Sequence, residues 1–129
     1  MWVELELIWD QYSLKWTPLT YALVEGHLEV VKYLISVGAD IESRNSGKST
    51  PLIVASVNDK LEIVKYLISV GADIEAKNNY GNTPLICASS KGYLEIVKYL
   101  ISVLAENDAM NYNGDTPLSI AEYTHTECV

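Results

Sequence analysis

Apolar positions in the middle of the chain recur at helical spacing within short blocks. In one such block Leu61, Val64, Leu67 and Ile68 fall on a single face of a helix. Gly71 follows the block, and glycine commonly ends helices because it takes a left-handed conformation without a Cβ penalty. The pattern therefore predicts a helix from about Leu61 that ends near Gly71.

A shorter apolar run precedes this helix and carries its own start signal. Thr50 is a good N-cap, because its hydroxyl can accept a hydrogen bond from a free N–H of the first turn. Pro51 suits the first helical position, where a missing N–H costs nothing. The run is apolar as far as Ala55, and the polar residues 58–60 break it. We therefore predict a short first helix, a turn and a longer second helix, followed by an extended excursion of β-hairpin type at about residues 72–82.

The same unit returns along the chain with a period of 33 residues. The pattern T-P-L-x-x-A begins at Thr17, Thr50, Thr83 and Thr116. The block LEIVKYLISVGADIE, or a near copy of it, begins at Leu28, Leu61 and Leu94. A single unit cannot bury its own apolar face, so neighbouring units must stack.

This period, together with T-P-L-x-x-A and the Gly-Ala-Asp that follows the second helix, resembles the ankyrin repeat over residues 17 to about 122. The resemblance implies an all-α, ankyrin-type α-solenoid of about three and a half units. It also implies that partners meet the hairpin tips and the short first helices, which form the concave face. We expect an N-terminal capping segment at 1–16, repeats at 17–49, 50–82 and 83–115, and a C-terminal half repeat at 116–129.

Two departures from the repeat pattern predict local differences in shape. Lys48 stands where a later unit has Gly81, and Gly47 lies one place early, so we expect this turn to differ. Leu104 stands where the preceding unit has Gly71. Because leucine strains a left-handed cap by roughly 1 kcal/mol or more, we expect the helix to run on past it and the last hairpin to be displaced.

The first sixteen residues hold all three tryptophans of the chain. Trp2, Leu5, Trp9 and Trp16 fall on one helical stripe, although the segment also alternates as a strand would. We interpret it as a shortened second-type helix, at about residues 3–11, that caps the stack. Trp9 is then part of the cap and Trp16 part of a contact surface, while the role of Trp2 stays open.

The net charge of −8 argues against nucleic acid and against an acidic membrane surface as partners. No stretch has the length and apolar character of a membrane span, and no signal-peptide pattern opens the sequence. Cys87 and Cys128 are too few and too far apart for a disulfide framework or a zinc cluster. We therefore expect a cytoplasmic protein.

The residues give no sign of a catalytic site. SGKST at 46–50 resembles the end of a phosphate-binding loop, but Glu42 stands where that motif needs glycine. His27 and His125 are the only histidines, and no third group converges with either to form an acid–base pair or a metal site. We predict that the protein is not an enzyme and needs no cofactor or metal.

Positions that vary between units at the tips and first helices are the candidates for partner contact. Arg44, Lys48 and Lys77 are locally basic on an acidic chain, which favours a protein partner with acidic surface. Aromatic and arginine anchors are also what interfaces favour. The candidate partner-binding residues are Trp16, Val24, Glu25, Arg44, Ser46, Lys48, Val57, Asn58, Lys77, Asn79, Tyr80, Asn82, Ser90, Lys91, Met110, Tyr112, Asp115 and Tyr123.

The sequence thus favours a non-catalytic protein–protein interaction module that is a monomer on its own. The near-identical second-helix blocks fit an engineered or selected binder, and they fit equally a natural array that grew by recent duplication. The alternative function is a self-associating structural protein that stacks through its ragged repeat ends.

Overall fold

The computed structural model describes residues 17–103 and 112–113, which form three helix pairs and no strand. The helices are α1 (Pro18–Glu25), α2 (Leu28–Ser36), α3 (Pro51–Val57), α4 (Leu61–Ser69), α5 (Pro84–Lys91) and α6 (Leu94–Ser102). The short helices α1, α3 and α5 pack side by side as an inner row, and α2, α4 and α6 form an outer row. This arrangement confirms the predicted all-α solenoid.

Each inner helix begins in the way that the sequence predicts. Thr17, Thr50 and Thr83 are the N-caps, and each hydroxyl accepts a hydrogen bond from the backbone N–H three residues on, at 3.2–3.4 Å. Proline occupies the first turn in all three helices. The α4 helix ends at Ser69, and Gly71 then takes the expected positive φ of 98°.

The core lies between the two rows. Every residue of α3 from Pro51 to Ser56 is buried, whereas α4 buries only Ile63, Val64 and Leu67. Burying a side chain of this size stabilises the fold by roughly 1.5–3 kcal/mol. The inner row therefore supplies most of the core, and the outer row covers it with one face of each helix.

Lysine side chains of the outer helices make contacts both within a helix and between neighbouring helices. The ion pairs join Glu29 to Lys32, Glu62 to Lys65 and Glu95 to Lys98 at 3.7–3.8 Å. Lys32 also lies 5.7 Å from the ring centre of Tyr66, and Lys65 lies at the same distance from that of Tyr99. Because both cation–π contacts cross between neighbouring helices, these side chains help to hold the outer row in register.

Several sequence predictions fall outside the described residues. These are the capping role of residues 1–16, the helix extension at Leu104 and the half repeat at 116–129. The repeat boundaries stay predictions as well. Among the helices that the structure does describe, none is both long and apolar enough to span a membrane.

Candidate functional site

The loop after α4 ends in a compact turn at residues 78–82, which we call the Asn78 tip. The N–H of Asn78 donates to the carbonyl of Asn82, and the N–H of Gly81 donates to the carbonyl of Asn78, both at 3.0 Å. The Asn78 side-chain oxygen accepts from the N–H groups of Tyr80 and Asn82, at 2.9 and 3.0 Å. One asparagine thus organises the whole turn from within.

The loop after α2 ends in the equivalent turn at residues 45–49, the Asn45 tip. The N–H of Asn45 donates to Ser49 at 3.1 Å, and the N–H of Lys48 donates to Asn45 at 2.9 Å. The Asn45 side-chain oxygen accepts from Gly47 and Ser49, both at 3.0 Å. Lys48 has a φ of 61°, close to the 78° of Gly81.

The prediction that the turn at Lys48 differs in shape is therefore wrong. The two tips have the same pattern of hydrogen bonds, because Asn45 fixes its turn as Asn78 does. Lys48 adopts the left-handed conformation that glycine adopts in the other tip, at a cost of roughly 1–2 kcal/mol.

The tips are joined to each other through the backbone. The N–H of Asn79 donates to the carbonyl of Gly47 at 3.0 Å, and the N–H of Tyr112 donates to the carbonyl of Tyr80 at 2.9 Å. The donor and acceptor are 32 residues apart in both cases, so the second bond repeats the first. The tips consequently form one continuous edge of the solenoid.

A side chain also joins the tips, in a structural role that the residue pattern does not reveal. Nη1 of Arg44 donates to the carbonyls of both Lys48 and Lys77, each at 2.7 Å. Arg44 therefore joins the backbones at Lys48 and Lys77, the other two predicted basic residues. Its relation to Lys77, one repeat period away, is the signal that could have suggested this contact.

The structure places the predicted contact residues in three groups. Tyr80 and Tyr112 are exposed aromatic candidates, at 64% and 72%, and the N–H of Tyr112 donates to the carbonyl of Tyr80. The other exposed candidates are Glu25, Arg44, Ser46, Lys48, Lys77, Asn79 and Lys91. The half-buried candidates are Val24, Val57, Asn58, Asn82 and Ser90. Trp16, Met110, Asp115 and Tyr123 lie outside the described residues.

Two of the half-buried candidates already bind their own helices. The side-chain amide of Asn58 donates to the carbonyl of Val54, and the hydroxyl of Ser90 donates to that of Cys87, both at 2.8 Å. A partner would have to compete with these bonds. The tips therefore offer more free side-chain surface than the ends of the inner helices.

A small groove of about 40 Å³ lies between α1 and the Asn45 tip. Leu23 and Val54 give it an apolar lining, while Thr20, Arg44 and Ser49 add polar groups. It is the place where the inner row meets Arg44.

The residue types that commonly carry chemistry lie as follows in the described part of the chain. Burial raises the pKa of the Cys87 thiol to about 12, so this thiol stays protonated near neutral pH and is a poor nucleophile. The ring of His27 lies 6.4 Å from that of Tyr21. Within residues 17–103 and 112–113, no three His, Cys, Asp or Glu side chains are grouped so that they could hold a metal ion.

Stacked helix pairs with projecting tips define the class of α-solenoid repeat proteins. A family model for ankyrin repeats matches the chain three times, at residues 5–78, 38–110 and 74–129. The chain therefore belongs to the ankyrin repeat family. No match was found among curated proteins. Ankyrin repeats generally serve as protein–protein interaction modules and are typically non-catalytic.

Proposed function

We propose that this chain binds a protein partner through its tips and the concave face of its inner helices. The observation that carries the proposal is the edge formed by the Asn45 and Asn78 tips. Backbone hydrogen bonds hold the tips in register, while their exposed side chains are free to differ. A rigid backbone with varied side chains suits recognition, since little ordering is needed on binding.

The side chains on this edge favour a partner with acidic surface. Arg44, Lys48 and Lys77 form a basic cluster on a chain whose net charge is −8. Tyr80 and Tyr112 beside it are exposed aromatic side chains, which are common anchors in protein interfaces. Opposite charge on the partner would speed association and fix its orientation.

A capture experiment with two matched variants tests this function. One variant, W16A/Y80A/Y112A, alters the proposed contact face, and the other, K32A/K65A/K98A, alters the outer row. The wild type and the outer-row variant should capture the same proteins from a cell lysate, and the contact-face variant should lose them. Equal capture by all three folded proteins would show that the proposed face is wrong.

The charge of the partner is tested separately by association kinetics. Reversing Lys48 and Lys77 to glutamate should slow association with a captured partner and invert the effect of added salt. Unchanged association rates would remove the idea of an acidic partner surface while leaving the binding function intact.

We propose further that the free chain is a monomer. Light scattering across a concentration series should then give the mass of one chain, 14.3 kDa, throughout. A mass that rises with concentration would instead favour the alternative function, in which chains stack end to end.

A further inference from the structure

Arg44 is held in one orientation by the two tips that it joins. Nη1 makes both of its hydrogen bonds, at 2.7 Å to the carbonyls of Lys48 and Lys77. Within the described part of the chain, Nε and Nη2 have no hydrogen-bond acceptor, and the side chain is exposed. The guanidinium is therefore an oriented cation with one edge still able to donate.

Arg44 also lines the groove between α1 and the Asn45 tip. Its enclosed volume of about 40 Å³ has room for a small polar group such as the carboxylate end of a side chain. None of the described lining residues is acidic, so no carboxylate of the groove itself neutralises the arginine. Ser49 brings a hydroxyl group that can donate a further hydrogen bond, and the hydroxyl of Thr20 lies 3.2 Å from that of Thr17.

We propose that this groove receives an Asp or Glu side chain from an extended segment of the protein partner. Its carboxylate accepts two parallel hydrogen bonds from Nε and Nη2 of Arg44. This fork is the geometry in which arginine recognises carboxylates best, and lysine cannot reproduce it. The inference rests on the proposed binding function and specifies the anchor that the contact face recognises.

The charge distribution supports a carboxylate as the occupant. The backbone carbonyls of Lys48 and Lys77 hold the guanidinium, and both residues are exposed and cationic, so they add local positive charge that attracts an acidic segment. Because Arg44 is already ordered by the tips, binding does not have to immobilise it. Lys48 and Lys77 contribute attraction over distance, and Arg44 contributes the specific contact.

Peptide selection provides a probe that does not require the natural partner. A phage-displayed library of random, unmodified 12-residue peptides would be selected on the immobilised full chain. The enriched peptides should share an Asp or Glu at one position. Replacing that residue by Asn or Gln should weaken binding by about tenfold or more, which is the usual loss when a charge-assisted hydrogen bond is removed.

Three variants of the chain then locate the contact. R44K keeps the charge and removes the fork, T20M narrows the groove and leaves the Arg44 residue unaltered, and K32Q on the outer row is the control. R44K and T20M should each lower the affinity for the acidic peptides by about tenfold, whereas K32Q should leave that affinity unchanged. The Asn or Gln peptide should lose little further affinity with R44K, because both changes remove the same contact.

The outcomes separate this inference from the proposed function. Peptides without a shared acidic residue, or affinities that R44K and T20M leave unchanged, overturn the inference. If such peptides are still lost with Y80A/Y112A, the contact face stands and only the carboxylate anchor is wrong. A library that yields no binders, or binders insensitive to every tip variant, contradicts both.

Discussion

The Asn45 tip and the Asn78 tip have the same pattern of backbone hydrogen bonds. Apart from the first asparagine, they have no residue in common at equivalent positions. Each asparagine accepts two backbone hydrogen bonds, and each turn closes over five residues in the same way. The Asn45 tip exposes the side chain of Lys48, and the Asn78 tip exposes that of Tyr80. The comparison shows that the frame depends on few residues, so the remaining positions can vary with the partner.

The tips differ most in the space around their left-handed residue. Lys48 carries a full side chain there, so the Asn45 tip has room for a Cβ atom. A Cβ added to Gly81 would lie 2.6 Å from Cδ1 of Tyr112 and 2.8 Å from its backbone nitrogen. The left-handed conformation therefore only strains the backbone at Lys48, whereas at Gly81 an added Cβ atom would also collide with Tyr112.

The substitution G81A should have the largest effect. Left-handed strain and the overlap with the Tyr112 backbone should together lower the free energy of unfolding by about 3 kcal/mol. Urea unfolding at equilibrium measures this. The matched control is G92A, since Gly92 has a φ of 73° but nothing within 4 Å of an added Cβ. G92A should cost only about 1 kcal/mol, and equal losses in the two variants would show that Tyr112 does not matter.

Removing either organising asparagine should have the next largest effect. N45A and N78A each leave two backbone N–H groups without their acceptor, so each should lower the free energy of unfolding by about 2 kcal/mol. The two losses should agree closely, because the hydrogen bonds are the same. N79A is the control, as its side chain is exposed, and it should change stability by less than about 0.5 kcal/mol. A large loss of stability in only one of the two variants would show that the two asparagines do not have equivalent roles.

The smallest of these stability effects is a gain. K48G should raise the free energy of unfolding by about 1 kcal/mol or less, because glycine removes the left-handed strain but adds freedom to the unfolded chain. Thermal unfolding followed by circular dichroism would show it as a higher Tm. A decrease in Tm would mean that the Lys48 side chain contributes more to the fold than its exposed position suggests.

The helices could be predicted from the sequence because their signals are local. Thr50 and Pro51 are adjacent, and the apolar face of α4 repeats within three turns, so no distant contact was needed to locate them. The prediction for the turn at Lys48 is wrong because it rests only on the position of glycine in the repeat. The asparagine three residues earlier, Asn45, was the better guide to its shape.

The candidate site was harder to predict, because its geometry depends on contacts between repeats. Variation between the repeats singles out Arg44 and Tyr80, but variation does not reveal what a side chain touches. Arg44 bonds to a carbonyl 33 residues away, and Ser90 and Asn58 bond to their own helices. Stacking of the units and hydrogen bonds within a helix together decide which varied residues remain free.

The central claim is that the fold fixes the backbone of the tips, whereas the side chains of the tips contact the partner and select it. Exchanging one tip for the other tests it: S46N/G47Y/K48G/S49N gives the Asn45 tip the sequence of the Asn78 tip. Gly47 has room for the Cβ atom of the new side chain, since the nearest atoms would be 3.6 and 3.9 Å from it.

The measurement is the affinity of a peptide selected on the wild-type chain, together with the free energy of unfolding of the exchanged chain. We predict unchanged or higher stability and a loss of affinity of about tenfold or more. Full affinity in the exchanged chain, or a chain that no longer folds, would contradict the claim.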